Sequence, residues 1–206
     1  MKNFFITVLI IIVLALGSWY LFGKANDAVS PGNTSTASST PTYSNGAKGF
    51  SLSTPQGYTV DESYQYQASP TKVIPGVKFT IPLQVATGTN LSRDSYVSVE
   101  RMPTKLAQGT SCTASAFLDG THTSQMITEN GMTYSVASTS NAGAGNRYEE
   151  TVYAFPSTNP CMAVRYLIHY TVFENYPAGS IQRFDKQAIL DQFDAIRKTV
   201  VIAPQQ

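Results

Sequence analysis

The sequence predicts an α+β fold, an antiparallel β-sheet covered by helices, preceded by an N-terminal transmembrane helix and a flexible linker. Three observations lead to this prediction. They are an apolar run at the N-terminus, a polar low-complexity stretch after it, and then short β-branched and aromatic runs that end in an amphipathic helical pattern. The predicted divisions are residues 1–24 for the anchor, 25–47 for the linker and 48–206 for the extracytoplasmic domain.

The N-terminal apolar run is long enough to cross a bilayer. Residues 4–22 read FFITVLIIIVLALGSWYLF, and most of them are Leu, Ile, Val or Phe. As a helix this run reaches about 28 Å, close to the ~30 Å hydrocarbon core. Lys2 on the short flank places the N-terminus in the cytoplasm and the domain in the periplasm or at the cell exterior.

A cleaved secretory signal is the alternative to an anchor. The apolar part of such a signal spans about 7–15 residues and ends in small residues at an A-x-A-like site. The run here is longer, and Gly23-Lys24-Ala25 fits that site poorly. The prediction is therefore a retained single-pass anchor in the cell membrane, and both alternatives export the rest of the chain.

Residues 25–47 are nearly all Ala, Ser, Thr, Asn, Gly or Pro. This composition cannot bury enough apolar surface to offset the entropy of ordering, so a disordered linker is predicted. At about 5–6 Å times the square root of its length, the linker spans roughly 26 Å, which holds the domain clear of the lipid headgroups.

Strands dominate the predicted domain. The hairpin formed by the fourth and fifth strands closes through a long, irregular connection, in which Gly143 and Gly145 supply positive φ angles. In the last strand, Met162 and every second residue after it form the core face. The six strands are predicted near 49–54, 78–86, 95–102, 132–139, 147–155 and 161–173.

One helix is predicted over the segment FDKQAILDQFDAIRKTVV, with Asp185 as its N-cap. An apolar stripe repeats at spacings of about four, three and four residues and should pack on the sheet. Its members are Ile189, Phe193, Ile196 and Val200. The polar residues Asp191, Asp194, Arg197 and Lys198 are predicted to face water.

Composition and motifs exclude several functions. The 14 basic and 13 acidic residues nearly balance, which argues against nucleic acid as a partner. His122 and His169 are not part of any metal-ligand pattern such as H-x-x-H, so no metal is predicted. A phosphate loop, a dinucleotide fingerprint and a G-x-S-x-G elbow are also absent, so neither a cofactor nor catalytic residues are predicted.

Cys112 and Cys161 are the two cysteines of the chain, and both lie in the exported part. An oxidising compartment favours a disulfide between them, and this is the prediction. A reactive thiol is the alternative, but neither a C-x-x-C pair nor an adjacent basic residue supports it.

Four polar residues form a candidate ligand-binding site. Arg147 and Glu149 share a face of one predicted strand, and Arg165 and His169 share a face of the next. If the strands pair, the four side chains could converge to bind an anion or perform acid-base chemistry through His169. The alternative is a solvated sheet face with weak cross-strand ion pairs.

The segments GFSLSTPQGYTV at the start of the domain and DQFDAIRKTVVI at its end resemble the corresponding parts of PsbP-like domains. The middle, including AGNRYEETVYAF, is similar to uncharacterised bacterial anchored proteins. This resemblance implies an antiparallel sheet covered by helices outside the membrane. It implies no functional residue, and the two cysteines and the long strand at 161–173 depart from the family pattern.

The predicted function is therefore a single-pass, membrane-anchored module that binds an envelope protein or another envelope partner without catalysis. A small envelope enzyme that uses His169 with Glu149 or Arg165 is the alternative. A concave polar pocket at His169 would favour the enzyme. An exposed aromatic groove would favour binding, and it would be formed by Tyr153, Phe155, Phe173 and Tyr176.

Overall fold

The computed structural model describes residues 42–203. The predicted transmembrane segment 4–22 and most of the predicted linker lie outside these residues, so both stay predictions. Over residues 42–203, no helix combines the length and the apolar character that a membrane span requires.

Strands account for most of the regular secondary structure in the described chain. The strands are β1 (Thr42–Asn45), β2 (Phe50–Ser53), β3 (Thr59–Asp61), β4 (Gln65–Ser69), β5 (Lys72–Thr80), β6 (Tyr96–Arg101), β7 (Gln125–Glu129), β8 (Met132–Gly143), β9 (Asn146–Ala154), β10 (Met162–Thr171) and β11 (Val201–Ile202). The helices are α1 (Leu83–Ala86) and α2 (Lys186–Arg197), and two 3-10 turns span Ala114–Phe117 and Phe173–Asn175.

The strands form two antiparallel sheets. The large sheet has the order β3-β5-β6-β10-β9-β8-β7, with β4 paired to β5, and the small sheet has the order β1-β2-β11. Helix α2 packs on one side of the large sheet, which we call the helix face. The opposite side, which carries the half-cystine Cys161 and its partner, we call the disulfide face.

The predicted fold class, a helix-covered α+β fold, is wrong, because the described chain is mostly β-sheet. Only α2 is long enough to cover part of a sheet face, since α1 has four residues. The small sheet covers the helix face beside α2, and β4 with the turn Ala114–Phe117 covers the disulfide face. Segments without a predicted strand pair as β3, β4, β7 and β11. Val201 of β11 lies in the segment predicted to be helical, but the helix ends at Arg197.

Two predicted boundaries differ from the structure. The predicted strand 78–86 spans the end of β5 and all of α1, because Pro82 has no N–H to donate and stands at the start of the helix. The predicted linker extends to residue 47, but β1 already pairs with β2 from Thr42 onward. Ordered structure therefore begins before residue 48.

The predicted hairpin exists, but its connection is tight rather than long. Strands β8 and β9 remain paired up to Gly143 and Asn146, which leaves Ala144 and Gly145 as the two central turn residues. Their φ angles are 49° and 79°, the left-handed pair that a two-residue hairpin turn of type I′ requires. Gly143 continues the strand and does not have a positive φ.

The predicted core face of β10 and the predicted helix are confirmed. Met162, Val164, Tyr166 and Ile168 are buried on the helix face, against the apolar stripe of α2. The Asp185 carboxylate caps α2 by accepting a hydrogen bond of 3.0 Å from the N–H of Ala188.

Arg197 departs from the prediction that it faces water, because its side chain is fully buried. Its guanidinium lies over the rings of Tyr134 and Tyr153, at 4.6 and 4.1 Å from their centroids. It also donates to the Glu129 carboxylate at 2.6 Å and to Asp194 at 3.1 Å. A buried guanidinium requires such partners, and the aromatic rings of β8 and β9 add cation–π contacts. Its Nη1 atom is buried and has no hydrogen-bond partner among residues 42–203.

The predicted disulfide is confirmed. Cys112 and Cys161 are bonded, their Cα atoms lie 5.1 Å apart, and both side chains are buried. The bond belongs to a second buried cluster on the disulfide face, which includes Phe117 and Val152. Neither sulfur remains as a thiol for chemistry.

Candidate functional site

The large sheet separates the four residues of the predicted site into two pairs. Strands β9 and β10 are neighbours, and their register places Arg165 opposite Val152 and His169 opposite Tyr148. Arg165 and His169 therefore point to the disulfide face. Arg147 and Glu149 lie opposite Tyr170 and Ile168 and point to the helix face. The members of each pair share a face of the sheet, but the two pairs lie on opposite faces, so the four residues do not converge.

The pair on the helix face is an ordinary surface arrangement. Glu149 forms an ion pair with Lys186 of α2 and accepts a hydrogen bond of 2.9 Å from the Tyr170 hydroxyl. Arg147 is exposed, and its guanidinium donates to the carbonyl of Asn146 at 3.3 Å. These contacts correspond to the solvated sheet face that the sequence left open as the alternative.

On the disulfide face, Arg165 is fully buried in a cluster of charges. Its Nε and Nη2 atoms donate to the two carboxylate oxygens of Glu100 at 2.8 and 2.9 Å. Nη2 also donates to the carbonyl of Phe117 at 2.7 Å, and Nη1 donates to Glu150. Burial alone would lower the pKa of Arg165, but the interactions with Glu100, Tyr66 and Glu150 together outweigh burial and raise it.

Glu100 is also fully buried and depends on this cluster. Its Oε1 atom accepts a second hydrogen bond, from the Ser98 hydroxyl at 2.8 Å. The bidentate contact with Arg165 satisfies most of the remaining hydrogen-bonding capacity of the carboxylate. Arg165 and Glu100 therefore form a fixed base beneath the surface of the disulfide face.

Above this base lies an open cleft of about 460 Å³, which we call the tyrosine cleft. The hairpin arm β4 forms one side, and the curled ends of β8 and β9 form the other. The side chains that line the cleft include Tyr66, Gln67, Tyr96, Asn141, Tyr148 and Glu150.

The tyrosines of the cleft are held in place by polar and aromatic contacts. The ring of Tyr66 lies over the Arg165 guanidinium at 3.4 Å, and its hydroxyl donates to Glu150 at 2.8 Å. The hydroxyls of Tyr96 and Tyr64 lie 2.6 Å apart. Burial raises the pKa of Tyr66 and of Tyr96 above the ordinary 10.0, so both phenols stay neutral at physiological pH.

The charges around the cleft leave one carboxylate in excess. Arg165 faces both Glu100 and Glu150. The nearby Lys78 ammonium lies 5.9 Å from the centroid of the Tyr96 ring and is paired with Asp61 at 3.5 Å. The side chain of Glu150 is 15% exposed to solvent. Its Oε2 atom accepts from Arg165 and Tyr66, whereas its Oε1 atom accepts no hydrogen bond from residues 42–203. The cleft therefore presents a negatively charged acceptor beside aromatic rings.

His169 lies beside the cleft with both of its ring nitrogens engaged. Nδ1 is 2.8 Å from an oxygen of Asp94, and Nε2 is 3.2 Å from the side-chain oxygen of Asn146. The imidazole also stacks on Tyr148, with 4.3 Å between the ring centroids. Burial tends to raise the pKa of Asp94, but hydrogen bonds from Ser92 and His169 outweigh it and lower the pKa. Within residues 42–203, each ring nitrogen of His169 therefore has a hydrogen-bonding partner.

The aromatic groove that would have favoured binding does not form. Phe155 is buried, and the ring of Tyr153 packs on Tyr166 with 5.0 Å between centroids. Phe173 and Tyr176 lie at the 3-10 turn that follows β10, where the Arg183 guanidinium covers the Phe173 ring at 4.3 Å. These four residues therefore belong to two separate parts of the domain.

Sequence reasoning missed Glu100 and the tyrosines of β4 and β6. Glu100 precedes Arg165 by 65 residues, so no local spacing joins them. The available signal is the alternation within β6, where Val97 and Val99 point to one face and Ser98 and Glu100 to the other. An acidic residue inside a strand of this kind indicates a buried carboxylate that needs a cation.

Comparison with known proteins adds little to this geometry. No family model matches the chain, and no curated protein matches it. A solved structure from Bacteroides thetaiotaomicron VPI-5482 is similar over 80% of this chain, with 10% sequence identity and a TM-score of 0.40. The chain spans about half of that protein, since the match covers 48% of its length. The resemblance to PsbP-like domains stays a prediction.

Proposed function

We propose that this chain is a membrane-anchored extracytoplasmic binding protein whose domain holds a small organic cation in the tyrosine cleft. The observation that carries the proposal is the Glu150 carboxylate, which keeps one acceptor oxygen open beside the rings of Tyr66, Tyr96 and Tyr148. An envelope protein as a further partner stays a prediction from the sequence.

An organic cation suits the cleft better than an anion or a neutral ligand. Aromatic rings attract cations through the negative potential of their faces, and this attraction strengthens when the cation is partly desolvated. The excess negative charge, which Glu150 carries, also attracts a cation electrostatically. The side-chain amides of Gln67 and Asn141 at the rim can accept hydrogen bonds from polar groups of the ligand or donate hydrogen bonds to them.

Binding without catalysis is supported by the surroundings of the two titratable groups. Glu150 is held by Arg165 and Tyr66, and His169 is held by Asp94 and Asn146. Groups fixed in this way present their hydrogen-bonding atoms to a ligand at defined positions, so little side-chain entropy is lost on binding. The proposal therefore sets aside the alternative of a small acid-base enzyme.

The disulfide supports the proposed location, because disulfides persist in oxidising compartments. Cell fractionation should recover the full-length chain with the membranes, and protease added outside the cytoplasm should remove the domain. Both cysteines should resist alkylation until a reductant is added. Recovery of the full-length chain from the cytosol with freely alkylated cysteines would contradict the proposed location.

The ligand is tested with choline and its uncharged analogue 3,3-dimethylbutan-1-ol. Titration calorimetry on the full-length chain in lipid nanodiscs, with empty nanodiscs subtracted, should show choline binding and at least ~tenfold weaker binding of the alcohol. Glu150→Gln should weaken choline binding about tenfold or more, because it removes the excess charge.

Glu149→Gln is the matched control, since Glu149 is the neighbouring residue and points to the opposite face. It should leave choline binding unchanged. Tyr148→Leu, which removes one aromatic wall, provides a second variant in case Glu150→Gln perturbs folding. Equal binding of the two ligands, or equal effects of the two glutamine variants, would refute the cation site.

A further inference from the structure

A second hollow, separate from the tyrosine cleft, lies between the turn that joins β1 to β2, the middle of β5, the end of β6 and the start of β10. It has a volume of about 220 Å³. Its apolar surface includes Phe50, Val99 and Met162, which belong to the core of the helix face, and Pro75, Pro103 and Pro160 form much of its wall. We call this hollow the proline pocket.

Two cations border the proline pocket, Lys48 from the turn and Arg101 from the end of β6. Nη1 of Arg101 lies 3.6 Å from the point that a Cβ on Gly49 would occupy, so the guanidinium lies beside the backbone next to Lys48. Within residues 42–203, neither side chain has a carboxylate partner or a hydrogen-bond acceptor. The pocket lining contains no acidic residue.

These two cations differ from the buried arginines of the domain. Arg165 and Arg197 each contact two carboxylates, which accounts for their charge. Among the described residues, no carboxylate compensates the positive charges of Lys48 and Arg101 beside this apolar hollow. An uncompensated pair of cations at an apolar pocket is complementary to a ligand that carries an anionic group on an apolar body.

The turn that carries Lys48 is fixed without a ligand. The Asn45 side chain accepts a hydrogen bond of 3.0 Å from the N–H of Lys48, and the Asn45 carbonyl accepts one of 3.0 Å from the N–H of Gly49. Gly49 has a φ of 78°, a left-handed conformation that glycine adopts without strain. Little backbone entropy therefore remains to be lost when Lys48 engages a ligand.

We infer that the proline pocket binds a small organic carboxylate with an apolar body. The apolar body would contact Val99, Met162 and the prolines, and the carboxylate would lie between Lys48 and Arg101, with the arginine able to donate two hydrogen bonds to it. Val99 and Met162 are on the helix face and Glu150 is on the disulfide face, so this site is independent of the cation site proposed above.

Benzoate and benzamide test the inference, because they share a ring and differ in charge. Titration calorimetry on the full-length chain in nanodiscs, with empty nanodiscs subtracted, should show benzoate binding and at least ~tenfold weaker binding of benzamide. The variant Lys48→Gln/Arg101→Gln should lose about tenfold or more in benzoate affinity. Lys105→Gln, at an exposed lysine outside the pocket lining, should bind like the unaltered chain.

Lys48→Gln alone, in the turn, serves as a second variant if the double substitution alters folding. It should still weaken benzoate binding while leaving choline binding in the tyrosine cleft unchanged. Equal affinities for benzoate and benzamide, or no binding of benzoate, would each overturn the inference. Unchanged benzoate affinity in both Lys48→Gln/Arg101→Gln and Lys48→Gln would also overturn it.

Discussion

Replacing Arg165 with Met is expected to lower the free energy of unfolding by about 3–5 kcal/mol. The substitution leaves the fully buried carboxylate of Glu100 without its bidentate partner, and it deprives the Phe117 carbonyl of a donor. A buried charge without a partner is one of the few causes of so large an effect. Urea unfolding of the full-length chain in mild detergent, followed by circular dichroism, measures the change.

Two further variants show whether the effect comes from the stranded carboxylate. Arg165→Met/Glu100→Met removes both charges, and its stability should return close to that of the unaltered chain, because a buried ion pair can often be replaced by apolar residues. Arg183→Met removes an exposed arginine that pairs with Glu174 at the surface, and it should have a much smaller effect. A loss for Arg165→Met no greater than that for Arg183→Met would contradict the buried-charge account.

The elements that sequence reasoning predicted best are those with strong periodicity. Strand β10 alternates over ten residues, and α2 carries an apolar stripe with a capping aspartate before it. Strands β3 and β11 have three and two residues, too few for a periodic pattern to emerge. They form because partners in β5 and β2 offer hydrogen bonds, which is information that no local window contains.

The misassignment of the predicted site has one physical cause, the register between β9 and β10. The sequence predicts that Arg165 shares a strand face with His169, and that Arg147 shares one with Glu149. The observed register agrees with both. Which faces coincide depends on whether Arg165 lies opposite an odd-numbered or an even-numbered residue of β9. It lies opposite Val152, and a shift of one residue would have placed all four side chains on one face.

The burial of Arg197 has a related origin. A helical stripe assigns a residue to a face by its angle around the axis, and Arg197 follows the buried Ile196 directly. The rings of Tyr134 and Tyr153 extend from the sheet to meet its guanidinium. Long cationic side chains can bury their apolar stems in this way, so their angular position alone does not determine their exposure.

Replacing both cysteines with alanine is expected to lower the free energy of unfolding by about 4 kcal/mol in the loop-entropy description. The bond closes a loop across a separation of 49 residues, and this loop contains β7, β8 and β9. Both cysteines are buried, so their truncation also removes packing in the second cluster. Urea unfolding with and without dithiothreitol measures the effect.

The unaltered chain should lose stability on reduction, whereas Cys112→Ala/Cys161→Ala should unfold at the same urea concentration in both conditions. An unfolding midpoint of the unaltered chain that reduction does not shift would contradict the prediction.

The disulfide also fixes the segment that leads into the turn Ala114–Phe117, whose last carbonyl accepts a hydrogen bond from Arg165. Loosening that turn weakens one contact that Arg165→Met removes altogether. A variant that combines Arg165→Met with Cys112→Ala/Cys161→Ala should therefore lose less stability than the sum of the losses of the two separate variants. Substitutions at neighbouring sites that share a contact are not additive.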